Sequence, residues 1–291
     1  MKYAYYPGCS SERNAGAYEM STQAVARELG FQLKEIEDWN CCGATEYFSQ
    51  DELTACSVIA RNLALVDDDT DQVVTSCAAC FLNLAKVEKL MQDDKEMDSK
   101  INQALAAGSL QYQAGRVKVR HLLDVIHDDI GEEKMRSMVK KPLEGLKVAS
   151  YYGCQVVRPY SSGDCTEHPQ KLDHIFQWLG AEIVEWSAKT HCCGGHMTQI
   201  DDAQAYELIR RVVKNATDSG ADIMASMCPM CQLNLDAYQG LMNKHFHTKY
   251  NMPVVYFTQL VGLAMGLDPK TVGFGKEIVP AMPIISRRIP A

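Results

Sequence analysis

Cys192-Cys193-Gly194-Gly195 and its earlier counterpart, Cys41-Cys42-Gly43, are the stretches that decide how this chain is built. Adjacent cysteines are poorly placed to bond to each other, because their Cα atoms lie about 3.8 Å apart across a trans peptide and an unstrained disulfide usually needs roughly 4.4–6.8 Å. Two neighbouring thiols are better suited to binding a metal-containing group. Each vicinal pair therefore predicts a ligand-bearing loop.

The vicinal pairs belong to a five-cysteine pattern that occurs twice. A lone cysteine precedes each pair, with 31 intervening residues in the first half and 37 in the second, and a Cys-x-x-Cys follows after 34 residues in both. The pattern takes up ten of the twelve cysteines: Cys9, Cys41, Cys42, Cys77, Cys80, Cys154, Cys192, Cys193, Cys228 and Cys231. A recurring spacing of this kind indicates an internal duplication, so two related units are expected.

The overall composition narrows the class of protein. A length of 291 residues with 46% apolar content can bury substantial cores and favours two domains. The formal charge of −8, without a long basic run, argues against nucleic-acid binding. No apolar run reaches the roughly 18 residues of a membrane span, and the N-terminus lacks a signal-peptide core. We therefore expect a chain that does not span a membrane and keeps reduced thiols in the cytoplasm, in contrast to a secreted disulfide scaffold.

Alternating strand and helix patterns predict the fold class: α/β, with two pseudo-symmetric Rossmann-like domains that each have a parallel-sheet core. Predicted strands at 2–6 and 147–152 lead into a Gly-Cys, and those at 72–75 and 222–226 lead into a Cys-x-x-Cys. The polar connection near Lys140 predicts domains 1–141 and 142–291. The other predicted segments are strands at 31–36, 117–119, 181–186 and 254–256, helices at 12–29, 81–91, 122–126, 169–179, 202–219, 232–242 and 260–265, and a charged surface segment at 93–100.

Five thiols per half are expected to converge, because open parallel folds bind their ligands at the carboxyl ends of the strands. Zinc normally takes four ligands, and a cubane iron–sulfur cluster takes four cysteines. The fifth cysteine is then either a spare ligand or a bridge between two metals in a larger iron–sulfur assembly. Its recurrence in both halves favours the bridge, and structural zinc remains the alternative.

The pattern Cys-x(31)-Cys-Cys-Gly-x(33)-Cys-x-x-Cys resembles the cysteine-rich CCG domain, here present twice. The chain as a whole resembles the family of heterodisulfide reductase B subunits, in its motifs Tyr6-Pro7-Gly8-Cys9, Asn40-Cys41-Cys42-Gly43, Cys228-Pro229-Met230-Cys231-Gln232-Leu233-Asn234-Leu235 and Phe257-Thr258-Gln259-Leu260. The resemblance implies that the ten cysteines hold two non-cubane [4Fe-4S] clusters, one for each complete motif. It also implies an oxidoreductase subunit in which a disulfide enters between the two clusters and is cleaved reductively.

The same resemblance implies partners. No Gly-x-Gly-x-x-Gly follows a predicted strand and no P-loop occurs, so no flavin or nucleotide is expected in this chain. Electrons would then arrive through a subunit with cubane [4Fe-4S] clusters and a flavin subunit. Three alternatives stay open: a sulfur-oxidising complex of the same type, an electron-transfer CCG subunit of another oxidoreductase, and a zinc-stabilised assembly module.

Some residues beside the cysteines are further candidates. Gly43, Gly194 and Gly195 are expected to line a substrate cavity, because bulky side chains there would close the approach to the metal. His191 and His196 bracket the second vicinal pair and are either proton donors to product thiolates or packing residues. Outside the pattern, we expect Cys56 to be a small core residue, Cys165 a loop residue, and Lys189 and Arg158 surface charges.

Overall fold

The computed structural model describes residues 1–160 and 163–289. Within them the strands form two four-stranded parallel sheets, with spatial orders β2-β1-β3-β4 and β6-β5-β7-β8. The predicted α/β class with two parallel-sheet units is confirmed. The strands are β1 Lys2–Tyr6, β2 Gln32–Glu35, β3 Gln72–Thr75, β4 Lys118–His121, β5 Lys147–Tyr151, β6 Glu182–Ile183, β7 Ile223–Ser226 and β8 Val254–Tyr256.

Helices connect these strands. In the first half they are α1 Gly16–Leu29, α2 Glu46–Gln50, α3 Glu52–Ala64, α4 Ala78–Asp93, α5 Lys95–Ala106, α6 Leu122–Asp124, a π-helix at Val125–Ile130, and α7 Gly131–Ser137. In the second half they are α8 Lys171–Trp178, a 3₁₀-helix at Gly195–Gln199, α9 Asp202–Asp218, α10 Pro229–Ala237, α11 Gln239–Phe246, α12 Phe257–Ala264 and α13 Met282–Arg288.

The central strands of both sheets run in the same way and end in a cysteine loop. Tyr5 lies beside Val74 in the first sheet, and Ser150 lies beside Ala225 in the second. All four of these residues are buried, as expected for strands covered by helices on both faces. Because the paired strands are parallel and in register, the loops that follow them leave each sheet at the same edge.

Several predicted segments differ from the structure. The charged segment at 93–100 is not irregular, because Asp94 caps α5 by accepting hydrogen bonds from the Glu96 and Met97 backbone amides. The predicted strand at 181–186 is reduced to the two residues of β6. The predicted helix at 232–242 is two helices, α10 and α11, that meet at Tyr238.

Two related sets of contacts join the halves. On one side α1 packs against α12, where the Tyr18 and Tyr256 rings stack at 4.2 Å and the Ser21 and Thr258 hydroxyls lie 2.6 Å apart. On the other side α8 packs against the π-helix, and Lys171 donates to Asp124. The relative position of the two sheets is therefore set by buried contacts between the halves. The division at residue 141 remains our prediction.

Candidate metal centre

Two neighbouring cavities hold the cysteines of the repeated pattern, one set in each. The first has a volume of about 340 Å³ and is lined by Cys9, Cys41, Cys42, Cys77 and Cys80. The second has a volume of about 360 Å³ and is lined by Cys154, Cys192, Cys193, Cys228 and Cys231. The structure thus brings together, in two groups, all ten cysteines that the spacing singled out.

The Cys-x-x-Cys motifs sit where strands turn into helices. Cys77 immediately precedes α4, and Cys228 immediately precedes α10, which begins with Pro229. Proline suits the first helical turn, where its missing N–H has no partner to lose. The positive end of the helix dipole favours the thiolate form of cysteines placed there. Each motif therefore presents two sulfurs in an environment that stabilises negative charge.

Short sulfur–sulfur contacts connect the three loops of each half. Sγ atoms lie 3.5 Å apart for Cys9 and Cys41 and 3.6 Å apart for Cys42 and Cys80. In the second half the Cys193 and Cys231 Sγ atoms lie 3.4 Å apart. All of these cysteines are free thiols. Among the described residues, no group of three or more His, Cys, Asp or Glu side chains is arranged to hold a single metal ion.

Electrostatic effects in the two cavities are parallel. Hydrogen bonding with the thiols of Cys42 and then Cys9 lowers the pKa of Cys41 to about 2. Hydrogen bonding with Cys154 and then Cys193 lowers the pKa of Cys192 to about 2 in the same way. A backbone amide also donates to each of the two sulfurs, from Gly43 at 3.4 Å and from Gly194 at 3.3 Å. One cysteine of each vicinal pair is therefore held as a thiolate.

The two cysteine groups also touch across the halves. The pKa of Cys77 is raised, chiefly by its hydrogen bond with the thiol of Cys228. Both residues are buried, with 7% and 2% of their surfaces exposed. The first cysteines of the two Cys-x-x-Cys motifs therefore meet at the junction between the halves.

Two asparagines that the sequence analysis missed hold the vicinal-cysteine loops. Asn83 Nδ2 donates to the carbonyls of Cys42 (3.1 Å) and Ala44 (2.6 Å). Asn234 Nδ2 donates to the carbonyls of Cys193 (3.4 Å) and Gly195 (2.7 Å), and lies 3.6 Å from Cys193 Sγ. Each asparagine stands three residues after the last cysteine of its half, so Cys-x-x-Cys-x-x-Asn was a readable signal in both copies.

Two buried tyrosines hold the same loops from the strand side. The Tyr6 hydroxyl donates to the Asn40 carbonyl at 2.7 Å, and the Tyr151 hydroxyl donates to the His191 carbonyl at 2.7 Å. Asn40 and His191 each directly precede a vicinal pair. The loop entrance is thus anchored to the end of β1 or β5, and its exit is anchored to α4 or α10.

Three residues line both cavities: Glu46, His196 and Met230. Glu46 belongs to the first half, and its carboxylate is hydrogen-bonded to His196 Nδ1 of the second half. Burial alone would raise the pKa of Glu46, but the hydrogen bond with His196 outweighs it and the pKa is lowered. These side chains form a shared wall, named here the bridge wall, between the two cysteine groups.

The other predicted site residues are placed as follows. Gly43 lines the first cavity, and Gly194 and Gly195 line the second. At Gly43, φ is +72° and a Cβ would lie 2.0 Å from the Tyr47 ring, so no side chain fits. His191 is exposed and lines neither of these two cavities.

Four residues outside the pattern were given structural roles by the sequence. Cys56 is fully buried in α3, as predicted, and Cys165 is exposed outside any helix or strand. Arg158 is a surface charge, as predicted. The prediction for Lys189 is wrong: its side chain is 2% exposed and its Nζ pairs with Asp173 at 2.6 Å.

The fold and the duplicated cysteine loops define the class of this chain. Residues 3–85 and 148–236 match the cysteine-rich domain CCG, so the chain belongs to that family and carries two copies of its domain. The structure also resembles the crystal structure of a hypothetical protein from Helicobacter pylori, with a TM-score of 0.75 over 96% of this chain and 52% of that chain. At 14% identity that likeness supports the fold alone.

Relatives from two kinds of enzyme complex align with nearly the whole chain. The 8-methylmenaquinol:fumarate reductase membrane anchor subunit of Wolinella succinogenes is 35% identical over 96% of this chain and 98% of its own length. The B subunit of the ferredoxin/F(420)H(2)-dependent CoB-CoM heterodisulfide reductase of Methanosarcina acetivorans is 28% identical, over 98% and 96% respectively. A protein of Archaeoglobus profundus that is itself described as like heterodisulfide reductase B subunits is 29% identical, over 99% and 98%. The resemblance to the B subunits of heterodisulfide reductases is confirmed.

One property bears on the membrane. In residues 1–160 and 163–289, no helix is both long and apolar enough to cross a bilayer.

Proposed function

We propose that this chain is the disulfide-handling iron–sulfur subunit of a multi-subunit oxidoreductase of the heterodisulfide reductase type. The observation that carries the proposal is the pair of adjoining cavities, each lined by one complete set of five cysteines. Homology to heterodisulfide reductase B subunits supports the reaction class.

The residues present fit an iron–sulfur cluster in each cavity. Five thiols exceed the four that a zinc ion or a cubane cluster takes, so a non-cubane [4Fe-4S] cluster with one bridging thiolate accounts for the full set. The backbone also approaches the sulfurs closely: a Cβ on Gly8 would lie 2.9 Å from Cys80 Sγ, and one on Gly153 would lie 3.2 Å from Cys231 Sγ. The proposed ligands are the ten cysteines of the repeated pattern.

Two one-electron iron–sulfur centres on either side of one substrate would supply the two electrons that cleavage of a disulfide takes up. The chain's own residues position and protonate. Asn83 and Asn234 hold the vicinal-cysteine loops, and the glycines beside those cysteines leave room for a ligand. His196 lines both cavities, so we propose it as the proton donor to product thiolates. His191 lines neither cavity, and we do not retain it as a donor.

We propose the partners that the resemblance implies: a subunit with cubane [4Fe-4S] clusters and a flavin subunit, acting in the cytoplasm. Named relatives are themselves subunits of heterodisulfide reductase complexes, which supports membership of a complex. The physiological disulfide and the direction of turnover, reductive or sulfur-oxidising, would follow from those partners.

A single-turnover experiment tests the proposed reaction. The reconstituted chain is reduced, freed from excess reductant and mixed anaerobically with a small disulfide. We expect the iron–sulfur spectrum to return to the oxidised form while about two thiols are released per chain, because one disulfide takes up two electrons. A chain that stays reduced and releases no thiol would contradict the proposal.

A second candidate is favoured by the 35% identity to the fumarate reductase subunit. In this role the chain would pass electrons between other subunits and handle no disulfide. The same experiment separates the two functions, since an electron-transfer subunit would be reoxidised only by its partner in the complex and would release no thiol.

A further inference from the structure

The walls of the two cysteine cavities carry almost no positive charge. Among the lining residues that the structure describes, there is one carboxylate, Glu46, one imidazole, His196, and no lysine or arginine. The cysteines contribute further negative charge wherever they are thiolates. An anion that enters this space would lose hydration and meet like charge, without a cation to compensate.

The two cations that the sequence places near the cysteine loops do not supply that compensation. Lys189 is buried, with its Nζ on Asp173 at 2.6 Å, and does not line either cavity. Arg158 donates to the Thr190 hydroxyl at 3.1 Å and lies outside both cavities. The positive charge of each side chain is therefore directed to a partner within the protein or to its surface.

The rest of the non-cysteine wall is largely apolar and polarisable. Met230 stands between the cavities, and Met197 and Ile200 line the second one. Tyr47, 41% exposed, lines the first, and Ile200 is 79% exposed. Thioethers and aromatic rings adapt to apolar and sulfur-containing groups. Such a wall suits a compact ligand without charge.

We infer that this site handles an uncharged disulfide with small substituents and rejects anionic disulfides, with Glu46 as a specificity-determining residue. The inference rests on the proposed function, because it assumes that a disulfide is the substrate. In the reaction, the disulfide takes up two electrons and two protons and its S–S bond breaks to give two thiols. In the assay, two molecules of a reduced viologen supply the electrons.

The test compares two disulfides of nearly the same shape, 2,2′-dithiodiglycolate, a dianion, and its uncharged diamide. The reconstituted wild-type chain is assayed with each, and kcat/KM is measured at low ionic strength. We expect the diamide to be preferred by at least about tenfold, since repulsion of a dianion at a partly buried site exceeds about 1.4 kcal/mol. Equal values, or a preference for the dianion, would overturn the inference while leaving the proposed function intact.

A charge-neutral variant identifies the residue responsible. Glu46→Gln keeps the hydrogen-bonding shape beside His196 and removes the negative charge, so the preference for the diamide should narrow by several fold. Glu133→Gln removes an exposed carboxylate far from the cavities and should leave the ratio unchanged. A ratio unaltered in Glu46→Gln would refute the role of Glu46. Failure of the wild-type chain to reduce either compound would refute the proposed function and this inference with it.

Discussion

Replacing Asn234 by leucine should empty one metal site while leaving the other intact. Asn234 is 2% exposed, and its Nδ2 donates to two carbonyls of the second vicinal-cysteine loop. Leucine has a similar volume but cannot donate, so the Cys193 carbonyl loses a partner in a buried position. Gly195 is partly exposed, so water can replace the bond to its carbonyl. One orphaned buried acceptor corresponds to a loss of about 1–3 kcal/mol.

The loop that Asn234 holds is also conformationally demanding. Gly194 and Gly195 have φ values of +99° and +54°, so the loop has little intrinsic preference for its shape once the clamp is removed. We therefore expect the iron content after anaerobic reconstitution to fall by about half, with the free energy of unfolding of the apoprotein lowered by about 2 kcal/mol. Iron analysis and urea unfolding measure the two effects.

Two matched variants separate a local effect from general destabilisation. Asn83→Leu removes the corresponding clamp of the first half and should empty the other site. Asn243→Leu removes an asparagine that bonds the Tyr250 carbonyl, away from the cysteines, and should lower stability without lowering iron. Full iron in Asn234→Leu, or an equal loss of iron in Asn243→Leu, would refute this reasoning.

Three further predictions concern the buried ion pair, the second cavity and the source of electrons. Lys189→Met leaves Asp173 charged and unpaired in the interior and should lower the free energy of unfolding by about 3–5 kcal/mol, whereas adding Asp173→Leu should recover most of it; a loss below about 1 kcal/mol in denaturant titrations would contradict the pairing. Gly195→Leu would place a side chain whose Cβ lies 3.7 Å from Met230 Sδ, so disulfide reduction should be abolished while iron content stays near that of wild type; full activity would exclude this part of the cavity as the substrate path. The isolated chain should not be reduced by NADH at catalytic rates until the flavin and cubane-cluster subunits are added, and rapid reduction by NADH alone would count against its role as a subunit.

The sequence predicted the parts of the site that depend on chain order. Cysteines that follow successive parallel strands converge at one sheet edge, so their spacing alone was enough to group all ten into two sets. Asn83 and Asn234 were equally readable at a fixed distance after each Cys-x-x-Cys. They were missed because a single asparagine near a helix start more often serves as a local cap or turn residue.

The remaining features depend on packing between segments far apart in the chain. The bridge wall forms because α1 packs on α12 and α8 packs on the π-helix, and this arrangement brings Glu46 beside His196, 150 residues later. Lys189 looked like a surface charge because its partner, Asp173, is 16 residues upstream on another element. Local patterns do not specify such long-range pairs, since they follow from how helices pack.

Metal analysis of the anaerobically reconstituted chain tests the central claim most directly. Two [4Fe-4S] clusters predict about eight irons per chain and little zinc. Cys41→Ser and Cys192→Ser should each retain about half of that iron, because each change removes a ligand from only one of the two cavities. Zinc with little iron in the wild-type chain, or undiminished iron in both variants, would contradict the assignment of the ten cysteines as ligands of two iron–sulfur clusters.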